Sequence, residues 1–168
     1  MSYKRCVGRL VTTITLVLAV AACGDDASGP TMTRAQAKAQ TESYIAQVVA
    51  SLPQPVTTMT ENDSDSFCFK NDAPSEEDGR VNIDTERKLP GVPLERHPDY
   101  FAAFRSQVES MGFKPTPDSA LSAPSLFFTN NSNNFNASMT ELGDADRTLE
   151  ITFTSPCVWP NGAKPPKG

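Results

Sequence analysis

Residues 135–154, FNASMTELGDADRTLEITFT, decide the fold. Phe135, Ala137 and Met139 alternate with Asn136, Ser138 and Thr140; after the Gly143-Asp144 turn the pattern resumes with Leu149, Ile151 and Phe153 against Glu150, Thr152 and Thr154. A period of two in both segments reads as antiparallel strands, Phe135–Leu142 and Thr148–Thr154, with one face on a core and the other wet. Ser125–Thr129 supplies a third strand, joined to them through Asn130–Asn134, because asparagine tolerates the left-handed angles of a tight turn. A sheet with one apolar face needs a second layer.

Two helices upstream provide it. Thr33 with Gln36 three residues later forms a capping-box pattern, after which Ala37, Tyr44, Ile45, Val48, Val49 and Leu52 keep one helical stripe until Pro53 and Pro55 stop it. A second start is written in His97-Pro98-Asp99, with proline at the first helical position and an acid against the positive end of the dipole. Phe101, Phe104, Val108 and Met111 form its stripe, and Gly112 suits the position just past its end. Between the helices, Phe67-Cys68-Phe69 reads as a short strand and Asn71–Gly79 as a loop ending in the Asp78-Gly79 turn signal. Val81, Ile83 and Thr85 alternate with Asn82, Asp84 and Glu86 as the hairpin partner, closed by Pro90 and Pro93. The expected fold is therefore α+β in the order α-β-β-α-β-β-β, with one antiparallel sheet of about five strands and two helices on one face.

The first residues have the form of an export signal. Lys4, Arg5 and Arg9 precede the apolar run Leu10–Ala22, which is shorter than the roughly 20 residues of a spanning helix. Small residues then approach Cys23, and Val20-Ala21-Ala22-Cys23 resembles the lipobox of bacterial lipoproteins. That resemblance implies cleavage before Cys23 and acylation of its thiol. Each buried methylene adds about 0.8 kcal/mol, so two acyl chains anchor stably. The body is similar to small actinobacterial lipoproteins of the LppA-like kind, which carry an α+β domain and a late Ser-Pro-Cys, here Ser155-Pro156-Cys157. The resemblance implies location and architecture more than activity. The expected organisation is a signal peptide over 1–22, an anchor and tether over 23–32, one domain over 33–159 and a disordered tail over 160–168. A nine-residue tether reaches at most about 30 Å, so the domain works at the extracytoplasmic face of the cell membrane, with the membrane itself as its first partner.

Three of the 15 basic residues and none of the 20 acidic ones lie in the signal, so the remainder carries 12 against 20, a net charge of −8. Nucleic acid, whose phosphates need a basic surface, is excluded as a partner class. With Cys6 lost and Cys23 acylated, Cys68 and Cys157 remain; outside the cytoplasm they are expected to form a disulfide, and no C-x-x-C motif points to redox work. Trp159 is expected to cover it.

His97 is the only histidine, and no G-x-S-x-G, S-x-x-K or glycine-rich phosphate loop is present, so no enzyme, cofactor or metal is expected. Asn62-Asp63-Ser64-Asp65 and Glu76-Glu77-Asp78 lack calcium-loop spacing and read as solvated loops. Phe67, Phe69, Phe127 and Phe128 read as core, with an apolar pocket as their other use. The outward strand positions Asn82, Asp84, Glu86, Ser138, Thr140, Glu150 and Thr152 form the candidate binding face for an envelope protein or surface component. The expected function is that of a membrane-tethered, non-enzymatic binding module. The alternatives are a carrier of an apolar ligand, which needs an enclosed cavity, and a carboxylate-dependent hydrolase, which needs a cleft with converging acids.

Overall fold

The two strands that open the reading hold its period residue by residue. From Phe135 to Glu141, and again from Leu149 to Thr154, every second side chain is buried. The fold is that of a computed structural model that describes residues 31–60, 63–71, 73–116 and 124–166. The signal segment, Cys23 and most of the tether lie outside the described residues. The elements run α1 (Arg34–Ser51), β1 (Met59–Thr60), β2 (Ser64–Lys70), β3 (Ala73–Leu89), a single 3-10 turn Leu94–Arg96, α2 (His97–Ser110), β4 (Lys114–Pro115), β5 (Ser125–Asn130), β6 (Phe135–Glu141) and β7 (Leu149–Thr154).

The chain is an α+β protein with one antiparallel sheet in the order β1-β3-β7-β6-β5-β4, and β2 also pairs with β3. β1 takes Arg87 and Lys88 of β3, whereas β2 pairs between Ala73 and Asp84. The two share one edge, so the sheet is six strands wide. The five strands read from the sequence are β2, β3, β5, β6 and β7; β1 and β4 are the two-residue additions.

Both helices cover the same face. Tyr44, Ile45 and Val48 of α1 and Tyr100, Phe104 and Val108 of α2 join Leu89, Phe128, Phe135, Ala137, Met139, Leu149, Ile151 and Phe153 in one core. Tyr44 sits at its centre, edge-on to Phe113 and Phe135 at 5.3 and 5.5 Å between ring centroids and stacked on Phe153 at 5.5 Å. Such ring pairs add about 0.5–1.5 kcal/mol each beyond area burial. The capping box at Thr33 and Gln36 opens α1, with both reciprocal hydrogen bonds formed. α2 is turned slightly from the expected stripe: its buried set is His97, Tyr100, Phe104 and Val108, and Phe101 lies at the margin. Gly112 has φ +88, as its place past the helix end requires.

Three local expectations are corrected. Residues 73–79 are strand, not loop, and β3 runs for 17 residues. Asp78-Gly79 lies in a bulge, because the register jumps from Phe67 opposite Val81 to Phe69 opposite Glu77. A bulge satisfies the positive φ of Gly79 (+87) as well as a hairpin turn does, and it leaves the face of Gly79 open to the ring of Trp159. Phe67 and Phe69 are not core: they stand 61% and 48% exposed on β2, while Cys68 between them is buried. Finally, 160–162 form a turn rather than disordered tail, since the Arg34 amide donates to the Pro160 carbonyl at 3.2 Å and the Thr31 amide to the Gly162 carbonyl at 2.9 Å.

Cys68 and Cys157 form the disulfide, joining β2 to the segment that follows β7 across 89 positions of sequence. The same segment is tied to β3, where Val81 and Val158 exchange backbone hydrogen bonds at 3.0 and 2.8 Å.

Candidate binding face

Strand pairing sets the outward side chains of β3, β7, β6 and β5 in rows. Glu86 lies opposite Thr152, Thr152 opposite Ser138, and Ser138 opposite Phe127. The row on one side is Lys88, Glu150, Thr140 and Ser125; on the other it is Asp84, Thr154, Asn136 and Thr129. Six of the seven candidate residues, Asp84, Glu86, Ser138, Thr140, Glu150 and Thr152, thus share one continuous surface. Asn82 extends it onto β3 beyond the end of β7, opposite Ser66. Among the described residues no helix packs on this side, where Asn136 is exposed and the candidate side chains are half-buried.

The outward charges are Asp84, Glu86 and Lys88 on β3 and Glu150 on β7, and the hydroxyls spread over β7, β6 and β5. Asp84 accepts from Thr154 Oγ1 at 2.6 Å and from Ser66 Oγ at 3.3 Å, so its carboxylate is held by the sheet's own hydroxyls. Around Phe127 the surface dips into an open depression of about 320 Å³ lined by Thr116, Thr129, Asn136, Ser138, Thr152 and Thr154. Thr129 Oγ1 donates to Asn136 Oδ1 at 2.7 Å, leaving the Asn136 amide nitrogen toward solvent. The floor is uncharged: one half-buried aromatic ring among hydroxyls and an amide. Phe127 was not among the expected face residues, although its place one step from buried Phe128 on an alternating strand was the available signal.

The other aromatic candidates disperse. Phe128 is in the core, Phe127 is on the open face, and Phe67 and Phe69 are at the β2 edge, so the four line no common pocket. The acidic candidates are ion-paired. Asp63 meets Lys38 at 2.9 Å and Arg87 at 3.3 Å; Asp65 meets Arg34, Glu76 meets Lys70, and Asp78 meets Arg80. Partial burial alone would raise the Asp63 carboxyl, but hydrogen bonds and charge from Lys38 and Arg87 hold it below the ordinary range. Among the described residues no group of His, Cys, Asp and Glu has the arrangement of a metal site. The Asn130–Asn134 segment is turn machinery: Asn130 is buried, takes the Ser132 amide at 3.0 Å and donates to the Met111 carbonyl at 3.3 Å, and Asn134 has φ 59.

One buried polar cluster lies on the helix side and was not read from the sequence. His97, at the start of α2, places Nδ1 2.7 Å from Glu141 Oε2 and Nε2 3.2 Å from the Val92 carbonyl. Arg147 Nε donates to the other Glu141 oxygen at 2.6 Å. Burial pushes the Glu141 carboxyl up, but the hydrogen bonds and charges of His97 and Arg147 outweigh it and hold the group below its usual range. The cluster clasps the start of α2, the loop before it and the β6–β7 turn. Glu141 shares the inward parity of Phe135, Ala137 and Met139, and a charge at such a position was the signal that something must pair with it.

Fold and face together define a small antiparallel α+β domain with one helix-covered face and one open polar face. Set against models of known families, characterised proteins and solved structures, the chain matches none. Among the described residues no helix is long and apolar enough to cross a membrane.

Proposed function

We propose that this chain is a lipid-anchored, extracytoplasmic binding module without catalytic activity, and that its ligand sits on the open sheet face over Phe127. The lipobox Val20-Ala21-Ala22-Cys23 behind a basic, short apolar segment supports the anchor. The observation that carries the binding reading is the open face itself. β5, β6 and β7 present an ordered, uncharged floor of hydroxyls, an amide and one ring, with Asp84, Glu86 and Glu150 beside it, and the core of the described residues lies on the other side of the sheet. Such a floor suits a polar, neutral group of an envelope protein or surface polymer, hydrogen-bonded by Ser138, Thr152 and Asn136 and packed on the Phe127 ring.

The cluster around His97 supports binding over hydrolysis, because the imidazole and Glu141 are buried and each is already engaged. The carrier reading draws no support from the helix side, where Phe104, Phe113, Phe128, Phe135 and Phe153 fill the space between helices and sheet. The test uses the facing pair Ser138→Lys and Thr152→Lys, which sets two like charges side by side on the floor. The expected result is loss of the envelope component that co-purifies with the lipidated protein in mild detergent, at unchanged circular dichroism. Retention of that component at the wild-type level contradicts the proposal.

A further inference from the structure

The edge strand β2 carries two exposed phenylalanines that the core does not use. Phe67 and Phe69 are 61% and 48% exposed, are two residues apart and so project to the same side, and are fixed by the disulfide at Cys68 between them. Exposed apolar edges are normally blunted with charge or covered.

Their position identifies the cover. Phe67 lies opposite Val81, Val81 pairs with Val158, and the amide of the next residue, Trp159, donates to Thr31 Oγ1 at 2.7 Å. Met32 and Val81 pack against the small cluster of Ala37, Ile83 and Val158 in the same corner. The chain therefore enters the domain beyond β3 and the Val158 segment, at least two strand spacings or about 10 Å from β2. Cys23 is eight residues before Thr31, a reach of at most about 28 Å. Three of the acids around the rings are matched by bases, and Glu77, opposite Phe69, is the acid that stands exposed beside them. Asp65 is matched by Arg34 and Glu76 by Lys70, each at 2.5 Å, and Asp78 by Arg80 at 2.6 Å. The depression at Phe127 lies several strands from this edge, more than about 14 Å at the usual strand spacing, and stays clear of whatever β2 touches.

We propose that Phe67 and Phe69 seat in the interfacial layer of the bilayer that holds Cys23, so that the domain is oriented on the membrane with β2 inward and the Phe127 face accessible. The inference rests on the lipid-anchor reading above. Aromatic and aliphatic side chains at headgroup depth add to the acyl anchor and convert a swinging tether into a fixed pose.

The test uses the full mature lipidated protein, as Phe67→Trp and separately Phe69→Trp, in phosphatidylcholine vesicles with and without brominated acyl chains. The native Trp159 is buried and supplies the background. Bromolipid is expected to roughly double the quenching relative to wild type in at least one variant, with blue-shifted emission, as for an aromatic ring at the interface. A lipidated protein that floats with the vesicles while both added tryptophans stay red and unquenched overturns the orientation and leaves the anchor standing. Blue-shifted emission without quenching means that protein, not lipid, covers β2, and overturns it as well. A wild-type chain that does not float, like a Cys23→Ser control, removes the anchor and this inference with it.

Discussion

Removing the disulfide is the sharpest perturbation of the fold. Cys68→Ala with Cys157→Ala opens a closed loop of 89 positions. In the chain-entropy account a loop near that length restricts the unfolded chain by about 4.5 kcal/mol at 25 °C, close to the whole stability of a marginal domain. The pairing of β2 with β3 from Ser64 to Lys70 is independent of the sulfurs, and both cysteines are small, so little of the loss should arise in the folded state. Under urea, with a slope of roughly 1.5–2 kcal/mol/M for this size, the midpoint should fall by about 2–3 M and the slope should rise, because the open chain exposes more surface. The assay is equilibrium unfolding followed by the fluorescence of Trp159, beside a wild-type sample reduced with dithiothreitol, which should behave as the double variant does. A variant whose midpoint stays within about 0.5 M of the oxidised wild type would refute the reasoning.

Other outcomes follow from the buried polar groups. Glu141→Gln should cost about 3 kcal/mol, since it leaves His97 and Arg147 without their carboxylate; a loss under about 1 kcal/mol in the same titration would show the cluster to be dispensable. The Glu141 carboxyl is held low in the folded state, so its contribution is complete above the ordinary glutamate value near 4.5 and is lost as pH falls through the folded value. Wild type should therefore lose more stability than Glu141→Gln as pH falls below about 4.5, and profiles that stay parallel there would contradict this. Thr41 and Thr85 share a buried hydroxyl–hydroxyl bond of 2.6 Å between α1 and β3. Thr41 Oγ1 also donates to the Lys38 carbonyl at 2.9 Å, so Thr85 is the donor of the pair. Thr41→Val alone should cost about 1–2 kcal/mol by orphaning the Thr85 hydroxyl, and adding Thr85→Val should recover most of that, as a double-mutant cycle by urea unfolding will report.

The parts of the fold legible in the sequence were those fixed by local chemistry. The alternation of β6 and β7, the capping box at Thr33, Pro98 at the start of α2 and the left-handed Gly112 each state their structure within a few residues. β3 was read short because Asp78-Gly79 carries the same positive-φ signal whether it turns a hairpin or bulges a strand, and only the partner register decides which. Phe67 and Phe69 were read as core because apolar residues beside a cysteine look the same at a sheet edge as at its centre; burial there depends on whether a helix reaches the edge. The outward residues from Asp84 to Thr152 followed from strand parity alone, whereas their grouping needed the non-local placement of β7 between β3 and β6. The clasp at Glu141 joins residues from three connections and had no local signature beyond one charge at an inward position.

The claim on which location, oxidised cysteines and short tether all depend is the modification of Cys23. Growth of cells expressing the full chain with an alkyne-tagged palmitate, followed by purification and click detection, tests it directly. The account predicts a labelled wild-type protein and an unlabelled Cys23→Ser protein; a wild-type chain as unlabelled as that control would contradict it.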